Sequence, residues 1–432
     1  MHGECPHDLA PGPSNPLSSR FCHSVTTALT WDQVREFILE PHALLSVPQK
    51  TLPRQSSVLF QRQFVRRLQS RRRVFTGMDV LYTMQYMWNC ARSAIFVSVR
   101  GGRLELFVPF CNADYTNDWP DDARWSLKPS STGLHPSKWW LNGWCLCDQV
   151  PDNVWGDHWV TTIRDMIIQC CLGVDGDFIV NKRDTPIVRK DGGHPMNPFS
   201  YRKVVQPSKL LPVYSFYSGP HHLDIACPIG AEWAYRRQAL FPQARPHVPD
   251  PRVDDTYWVG KEDLVVFRGS TTGTGQRGKV FACTSKHLDA KCTYNNTRRQ
   301  LDPCTMREMR DVRVPSSKSN FMSMNDQQAE YKFTLCVNGH SAPDRMHRLF
   351  NGTQVVLMPR CSEYDLGQEV WFSSMLQSWL HYIPLQYDCS DLDHNVKWLL
   401  EHDRVQSRVL HACSELPIGE AGIREWWHWA RA

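Results

Sequence analysis

Apolar positions recur along the chain in two periods, and the periods change from segment to segment. Between Trp31 and Arg73 they fall at helical spacing, at Val34, Phe37 and Ile38 and again at Val58, Leu59, Phe64, Val65 and Leu68. Ala94–Val99 and Leu104–Val108 are apolar runs of strand length separated by Gly101-Gly102, which predicts a β-hairpin. Ile163, Met166, Ile167 and Cys170 mark one face of a helix that Gly173 stops. Phe178–Asn181 and Val213–Phe216 follow as short strands.

Residues 241–256 carry four prolines and no period, and are expected to be a linker. Beyond them strands are expected at Leu264–Phe267, Tyr331–Val337, Thr353–Met358 and His381–Leu385. Helical segments are expected at 342–350 and 367–380. Ser390-Asp391 caps a further helix with Leu392, Val396, Leu399 and Leu400 on one side, and 404–432 is helical again. Strand–helix alternation implies α/β architecture with parallel pairing and helices on both sheet faces. The expected organisation is a lead-in with a basic helix (1–75), a first α/β domain (76–245), a second (256–403) and a helical tail (404–432).

Composition narrows the class. Apolar residues make up 41% and charged residues 22% of 432, the balance of a folded globular chain. The net charge of +5 is small and mostly interleaved, so no nucleic-acid partner is expected; Arg66-Arg67 and Arg71–Arg73 read as a solvated helix face. No run of 18 apolar residues occurs, so no membrane-spanning helix is expected. The first 25 residues lack the apolar core of a secretory signal, which points to the cytoplasm, or to a lumen only if the N-terminus is incomplete. The 16 cysteines show no zinc spacing and read as thiols in a reducing compartment. Asn295-x-Thr297 and Asn351-x-Thr353 are glycosylation sequons, of consequence only in a lumen.

Four short strings carry candidate chemistry. Arg268-Gly269-Ser270-Thr271-Thr272-Gly273-Thr274-Gly275 follows a strand with glycines and small hydroxyls, a turn suited to phosphate oxygens, with Arg268 and Arg277 to neutralise them. It is neither a P-loop nor a dinucleotide fingerprint. Gly339-His340-Ser341-Ala342-Pro343-Asp344-Arg345 follows another strand and opens a helix, with Arg345 in reach of a diphosphate. Asp184, past the strand that ends at Asn181, stands where open α/β sheets keep functional groups and has the chemistry of a general base. Each string alone is also an ordinary turn. Asp175-Gly176-Asp177 is a weak alternative metal pair, and His221-His222 with Asp224 lacks a matching third ligand, so no metal site is assigned.

Taken in order, these strings resemble glycosyltransferase family 90, the capsule-associated and protein O-glucosyltransferase-like enzymes. The resemblance runs from Phe178–Pro186 through Leu223-Asp224-Ile225 with Pro228 and Trp233, then Val266–Gly273, Leu288-Asp289-Ala290 with Thr293, and Gln328 with Tyr331-Lys332-Phe333. It continues through Gly339-His340 with Ala342 and Arg345, Trp371, His381–Leu385, Asp388 and Ser390-Asp391-Leu392, covering about 160–403. It is nearer to members from algae and large DNA viruses than to animal lumenal ones.

The resemblance implies a GT-B fold, two Rossmann-type domains facing a cleft. It implies an inverting, metal-independent transferase without a cofactor, moving glucose or xylose from a UDP-sugar donor to a glycan or glycoprotein hydroxyl. Asp184 would be the base. Arg268, Gly269, Ser270, Gly273, Arg277, Gly339 and Arg345 would form the donor site. Arg183, Tyr217, His221 and Asp224, with the Trp-rich stretch 119–147, would line the acceptor side. Two departures stand out: Gln276 occupies the place of the family's second donor arginine, with Arg277 beside it, and Pro343-Asp344 replaces small or aromatic residues. The rival reading is a non-catalytic nucleotide- or glycan-binding protein that keeps the fold.

Overall fold

The structure is a computed structural model. It describes residues 76–91, 93–111, 157–170, 176–181, 185–190, 206–228, 232, 258–273, 275–295, 314–339, 341–361, 369–418 and 422–426. The expected linker at 241–256, the basic helix before residue 74 and the Trp-rich stretch 119–147 lie outside the described residues.

The first described element is helix α1 (Gly77–Tyr86), which runs on into a wide turn at Met87–Ala91. Its start is a capping box: the Thr76 hydroxyl accepts from the Asp79 amide (3.3 Å) and the Asp79 carboxylate accepts from the Thr76 amide (2.9 Å). Strands β1 (Ser93–Arg100) and β2 (Arg103–Cys111) form the expected hairpin, and Gly101 and Gly102 take φ of 57° and 70° in its turn. Helix α2 (Asp157–Cys170) and strand β3 (Gly176–Val180) follow, then β4 (Val213–Ser215) and β5 (Ile225–Ala226). The sheet order is β2-β1-β3-β4-β5, antiparallel on the hairpin side and parallel from β3 to β5.

Alternation decides what each face of β1 meets. Ile95, Val97 and Val99 pack in one core with Ile163, Met166 and Ile167 of α2, while Ala94 and Phe96 pack in another with Val80, Met84 and Met87 around α1. Because both faces are covered, β1 is apolar at successive positions. Each fully buried aliphatic side chain contributes roughly 1.5–3 kcal/mol.

The second sheet is parallel throughout. It joins β6 (Glu262–Ser270), β7 (Leu288–Tyr294), β8 (Tyr331–Leu335), β9 (Val355–Pro359) and β10 (Ile383–Leu385) in the order β10-β9-β8-β6-β7. Helices α3 (Gln276–Ala282), α4 (Met324–Glu330), α5 (Met346–Phe350), α6 (Leu392–Leu400) and α7 (Asp403–Ser414) connect or flank its strands. At the start of β6, Lys261 is 5% exposed; its ammonium donates to the Thr353 carbonyl (2.9 Å) and hydroxyl (3.1 Å) and lies 5.3 Å from the Trp258 ring centroid. Burial pushes its pKa down to about 7.

The helix expected at 367–380 is corrected. Among the described residues of that stretch only a single 3-10 turn forms, Ser373–Met375, because the Ser373 hydroxyl binds the Val370 amide (2.8 Å) and Trp379 adopts φ of 63°. A helical turn at 422–426 returns to the first sheet: Trp426, wholly buried, meets Tyr214 of β4 edge-on (5.6 Å), and Arg424 donates to the Gln169 carbonyl of α2 (2.9 Å). Among the described residues no helix is long and apolar enough to cross a membrane.

Candidate active site

In the parallel sheet β6 and β8 end on the same edge, so the loops that follow them are neighbours. The loop after β6 turns through Gly273 (φ 100°) and Gly275 (φ 112°) into α3. The loop after β8 runs Cys336-Val337-Asn338-Gly339 toward α5. The loops touch through backbone. A Cβ on Gly273 would overlap the Gly339 carbonyl oxygen, and a Cβ on Gly339 would lie 3.2 Å from both Arg277 Nη2 and Thr272 Oγ1.

Two arginines are gathered at this contact. Arg277, from the first turn of α3, donates through Nε to the Asn338 carbonyl (3.0 Å), through Nη2 to the Val337 carbonyl (3.2 Å) and through Nη1 to the Thr272 hydroxyl (2.6 Å). Arg345 donates through Nη1 to the Arg268 carbonyl (2.8 Å). Both guanidiniums lie over the buried ring of Phe267, at 5.9 and 5.2 Å from its centroid. Desolvation pulls the Arg345 pKa down, yet a guanidinium keeps its proton. Arg345 makes no ion pair among the described residues. The Ser270 and Thr272 hydroxyls lie 3.4 Å apart in the same loop. The result is a cationic, hydroxyl-lined edge suited to an anion with several oxygens.

Arg268 is placed differently from the other two. Its guanidinium lies on the β6 face opposite Phe267 and donates to the Asp289 carbonyl (2.6 Å) and carboxylate (2.5 Å) of β7. The same carboxylate accepts from the Tyr331 hydroxyl (2.6 Å) and faces Lys291 Nζ (3.2 Å). Burial alone would raise the Asp289 pKa; the hydrogen bonds of Arg268 and Tyr331 and the Arg268 charge outweigh it and hold the carboxyl below its usual range. Only the backbone carbonyl of Arg268 reaches the arginine pair. Sequence reasoning missed Phe267 and Asn338, because an apolar strand residue and a backbone carbonyl carry no chemical signature.

Asp184 and Arg183 lie outside the described residues, but both flanks of their loop are described. On the near side, Asn181 Nδ2 donates to the Thr185 carbonyl (2.6 Å) and the Ser215 hydroxyl (3.1 Å). On the far side, the Ile187 and Val188 amides donate to the two oxygens of Asp224 (3.0 and 2.7 Å), and the Ser215 hydroxyl donates to the first of them (2.5 Å). Asp224, expected on the acceptor wall, is 1% exposed and fastens this loop from inside. Burial raises its pKa against the pull of these bonds.

Tyr217, also expected on that wall, is 2% exposed and belongs to the main core. Only His221 of the described acceptor-side residues is at the surface, where its carbonyl accepts from the Lys190 amide (3.0 Å). His222 is buried in a bridge with Arg189. Asp177 opens β3, at the end of the strand away from Asn181, and its carboxylate holds Arg100 through two bonds (2.9 and 2.8 Å). No group of histidine, cysteine, aspartate or glutamate with a metal-holding arrangement occurs among the described residues.

The family model of glycosyl transferase family 90 matches residues 161–416, more than half of the chain and the whole stretch that holds both loop systems. The chain belongs to glycosyl transferase family 90. Relatives include uncharacterized protein 027R of Frog virus 3, 28% identical over 79% of this chain and 40% of its own length, and uncharacterized protein 035R of Invertebrate iridescent virus 3, 26% identical over 75% and 33%. Human protein O-glucosyltransferase 1 is 23% identical over 56% of each chain. The chain thus spans a third to two fifths of the viral relatives and little more than half of the human one. Among solved structures, the C-terminal domain of a glycosyl transferase group 1 family protein from Francisella tularensis covers 35% of this chain and 82% of its own at 9% identity, with a TM-score of 0.24, too low to bear on the fold.

Proposed function

We propose that this family 90 chain transfers a sugar, glucose or xylose, from a UDP-sugar to a hydroxyl of a glycan or a protein, with inversion and without a metal. The observation that carries the reading is the convergence of Arg277 and Arg345 with Ser270 where Gly273 meets Gly339. On this reading those side chains bind the donor diphosphate, and the absence of side chains at Gly273 and Gly339 lets backbone close beneath it. The acceptor oxygen attacks the anomeric carbon from the face opposite the diphosphate and hands its proton to Asp184. The carbon–oxygen bond to the β-phosphate breaks, and its electron pair leaves with UDP.

The negative charge that grows on the leaving group is met by the arginine pair, which replaces the metal other transferases use. Base assistance is worth ~10²–10⁴-fold, and holding donor and acceptor together supplies up to about 7–11 kcal/mol of the barrier. A GT-B arrangement, with the mixed sheet on the acceptor side and the parallel sheet on the donor side, fits this division. Commitment of Asp177 to Arg100 speaks against a metal held by Asp175 and Asp177.

The test is a thermal-shift and donor-hydrolysis panel on the purified chain with UDP, UDP-glucose, UDP-xylose and GDP-mannose, each with and without chelator. Stabilisation and slow UDP release with one UDP-sugar, unchanged by chelator, is the expected result. Binding without turnover favours the rival binding-protein reading, and no shift with any nucleotide overturns the donor site.

A further inference from the structure

Two cations within 6 Å of one apolar ring demand an explanation, because like charges gathered in a half-buried place repel. We infer that Phe267 is a positioning residue: its ring is the floor that aims Arg277 and Arg345 at a common point, where a diphosphate takes both. The inference rests on the donor-site reading above.

Four observations converge on the ring. It is 1% exposed, enclosed by the main core, with the ring of Phe281 of α3 as one neighbour at 5.3 Å between centroids. Gly269, two residues on and on the same face, has no side chain where one would meet Phe267 Cζ at 3.1 Å, so the strand itself makes room for the ring. Arg277 comes to it from α3 and Arg345 from the start of α5, so no single helix sets the distance between the two charges. The hydrogen bonds described above end on different carbonyls and a hydroxyl of the surrounding loops for the two guanidiniums, and the ring is a contact that both share. An aromatic face attracts a guanidinium and holds its plane; an aliphatic side chain of similar size fills the space without doing either.

The role separates from a purely structural one by what the nucleotide carries. The β-phosphate distinguishes UDP from UMP, so misaimed arginines weaken UDP selectively, whereas a loosened core weakens both nucleotides alike. The experiment titrates UDP and UMP by calorimetry into the full chain, wild type, Phe267→Leu and Phe281→Leu. Phe281→Leu disturbs the same core at a ring that neither guanidinium lies over. The expected result is a loss of about tenfold in UDP affinity for Phe267→Leu, with UMP changed less than about twofold and the UDP-to-UMP ratio of Phe281→Leu equal to that of the wild type. If Phe267→Leu does not fold, Phe267→Met carries the same comparison with a flexible filler. An unchanged ratio in the Phe267 variant, or an equal change in the Phe281 variant, overturns the inference. A wild type that binds neither nucleotide overturns the donor-site reading itself, and with it this one.

Discussion

Each sheet has a carboxylate beneath the proposed chemistry, Asp224 wholly buried under the loop of Asp184 and Asp289 partly buried across β6, β7 and β8, and the two are satisfied in opposite ways. Asp224, in the mixed sheet, is held by two backbone amides and a serine hydroxyl, all neutral, and burial raises its pKa. Asp289, in the parallel sheet, is held by Arg268, Tyr331 and Lys291, and these lower it. The neutral clamp adds no further cation to the loop of Asp184, which already carries Lys182 and Arg183 next to the proposed base. A charged clamp suits the other sheet, whose Arg268 turns its side chain away and offers a carbonyl to Arg345. On the proposed reading, the first clamp lies under the loop of the base and the second beside the donor arginines.

The sharpest break of this comparison lies at the loop the neutral clamp serves. Asp184→Asn should lower the transfer rate by ~10²–10⁴-fold and leave UDP affinity within about twofold of wild type, read by steady-state kinetics and calorimetry. Retained turnover would remove the proposed base.

The clamps themselves come next. Asp224→Ala orphans three buried donors and should cost about 3 kcal/mol in denaturant unfolding, independent of salt. Asp289→Ala strands Arg268, itself 5% exposed, and should cost about 2–3 kcal/mol; this is less than a fully buried pair because Asp289 is 17% exposed, and salt should shrink it. The pH signs are opposite. The lowered Asp289 pKa stabilises the fold above the ordinary carboxylate range, a contribution lost as pH falls through the folded value. The raised Asp224 pKa makes its own contribution decline as pH rises from the ordinary value through the folded one. Equal salt and pH responses in the two variants would erase the distinction.

A smaller effect is expected at the loop contact. Gly273→Ala places a Cβ against the Gly339 backbone at φ of 100°, and should cost about 2 kcal/mol with a loss of about tenfold or more in UDP affinity. The smallest concerns the far end of β6. Folding depresses the Lys261 pKa to about 7, so the unfolded chain binds the extra proton and stability rises with pH from about 7 toward the ordinary lysine value. Lys261→Met should flatten that slope in thermal melts, and an unchanged slope would place its origin elsewhere.

What was legible in the sequence follows from how local its cause is. The hairpin was readable because two glycines must turn it, and β3, β4, β6, β8 and β9 because apolar runs of strand length leave few alternatives. Helix α1 carries a readable signal, Thr76 and Asp79 three apart, which the surrounding mixed pattern hid. Strand β7 (Leu288–Tyr294) alternates strictly, with Leu288, Ala290, Cys292 and Tyr294 against Asp289, Lys291 and Thr293, a legible strand period missing from the expected strands. The segment 370–376 has helical spacing, but Ser373 caps a turn there.

The site was half legible for the same reason. Glycines, hydroxyls and arginines after a strand are the residue types of a phosphate loop, and Ser270, Gly273, Arg277, Gly339 and Arg345 are neighbours in the structure; phosphate binding there is the proposal. Whether a polar residue faces a cleft or a core depends on the fold, and Asp224, Tyr217 and Arg268 went inward.

Trp426, closed over Tyr214, has a consequence for how the chain is made. The first sheet holds residues 93–226, yet one wall of its core arrives 200 residues later. On the ribosome Tyr214 of β4 can meet Phe178 of β3 early, but the side that Trp426 covers stays open while the whole parallel sheet is synthesised. During that interval the chain presents to chaperones and to aggregation an apolar surface that the finished molecule hides.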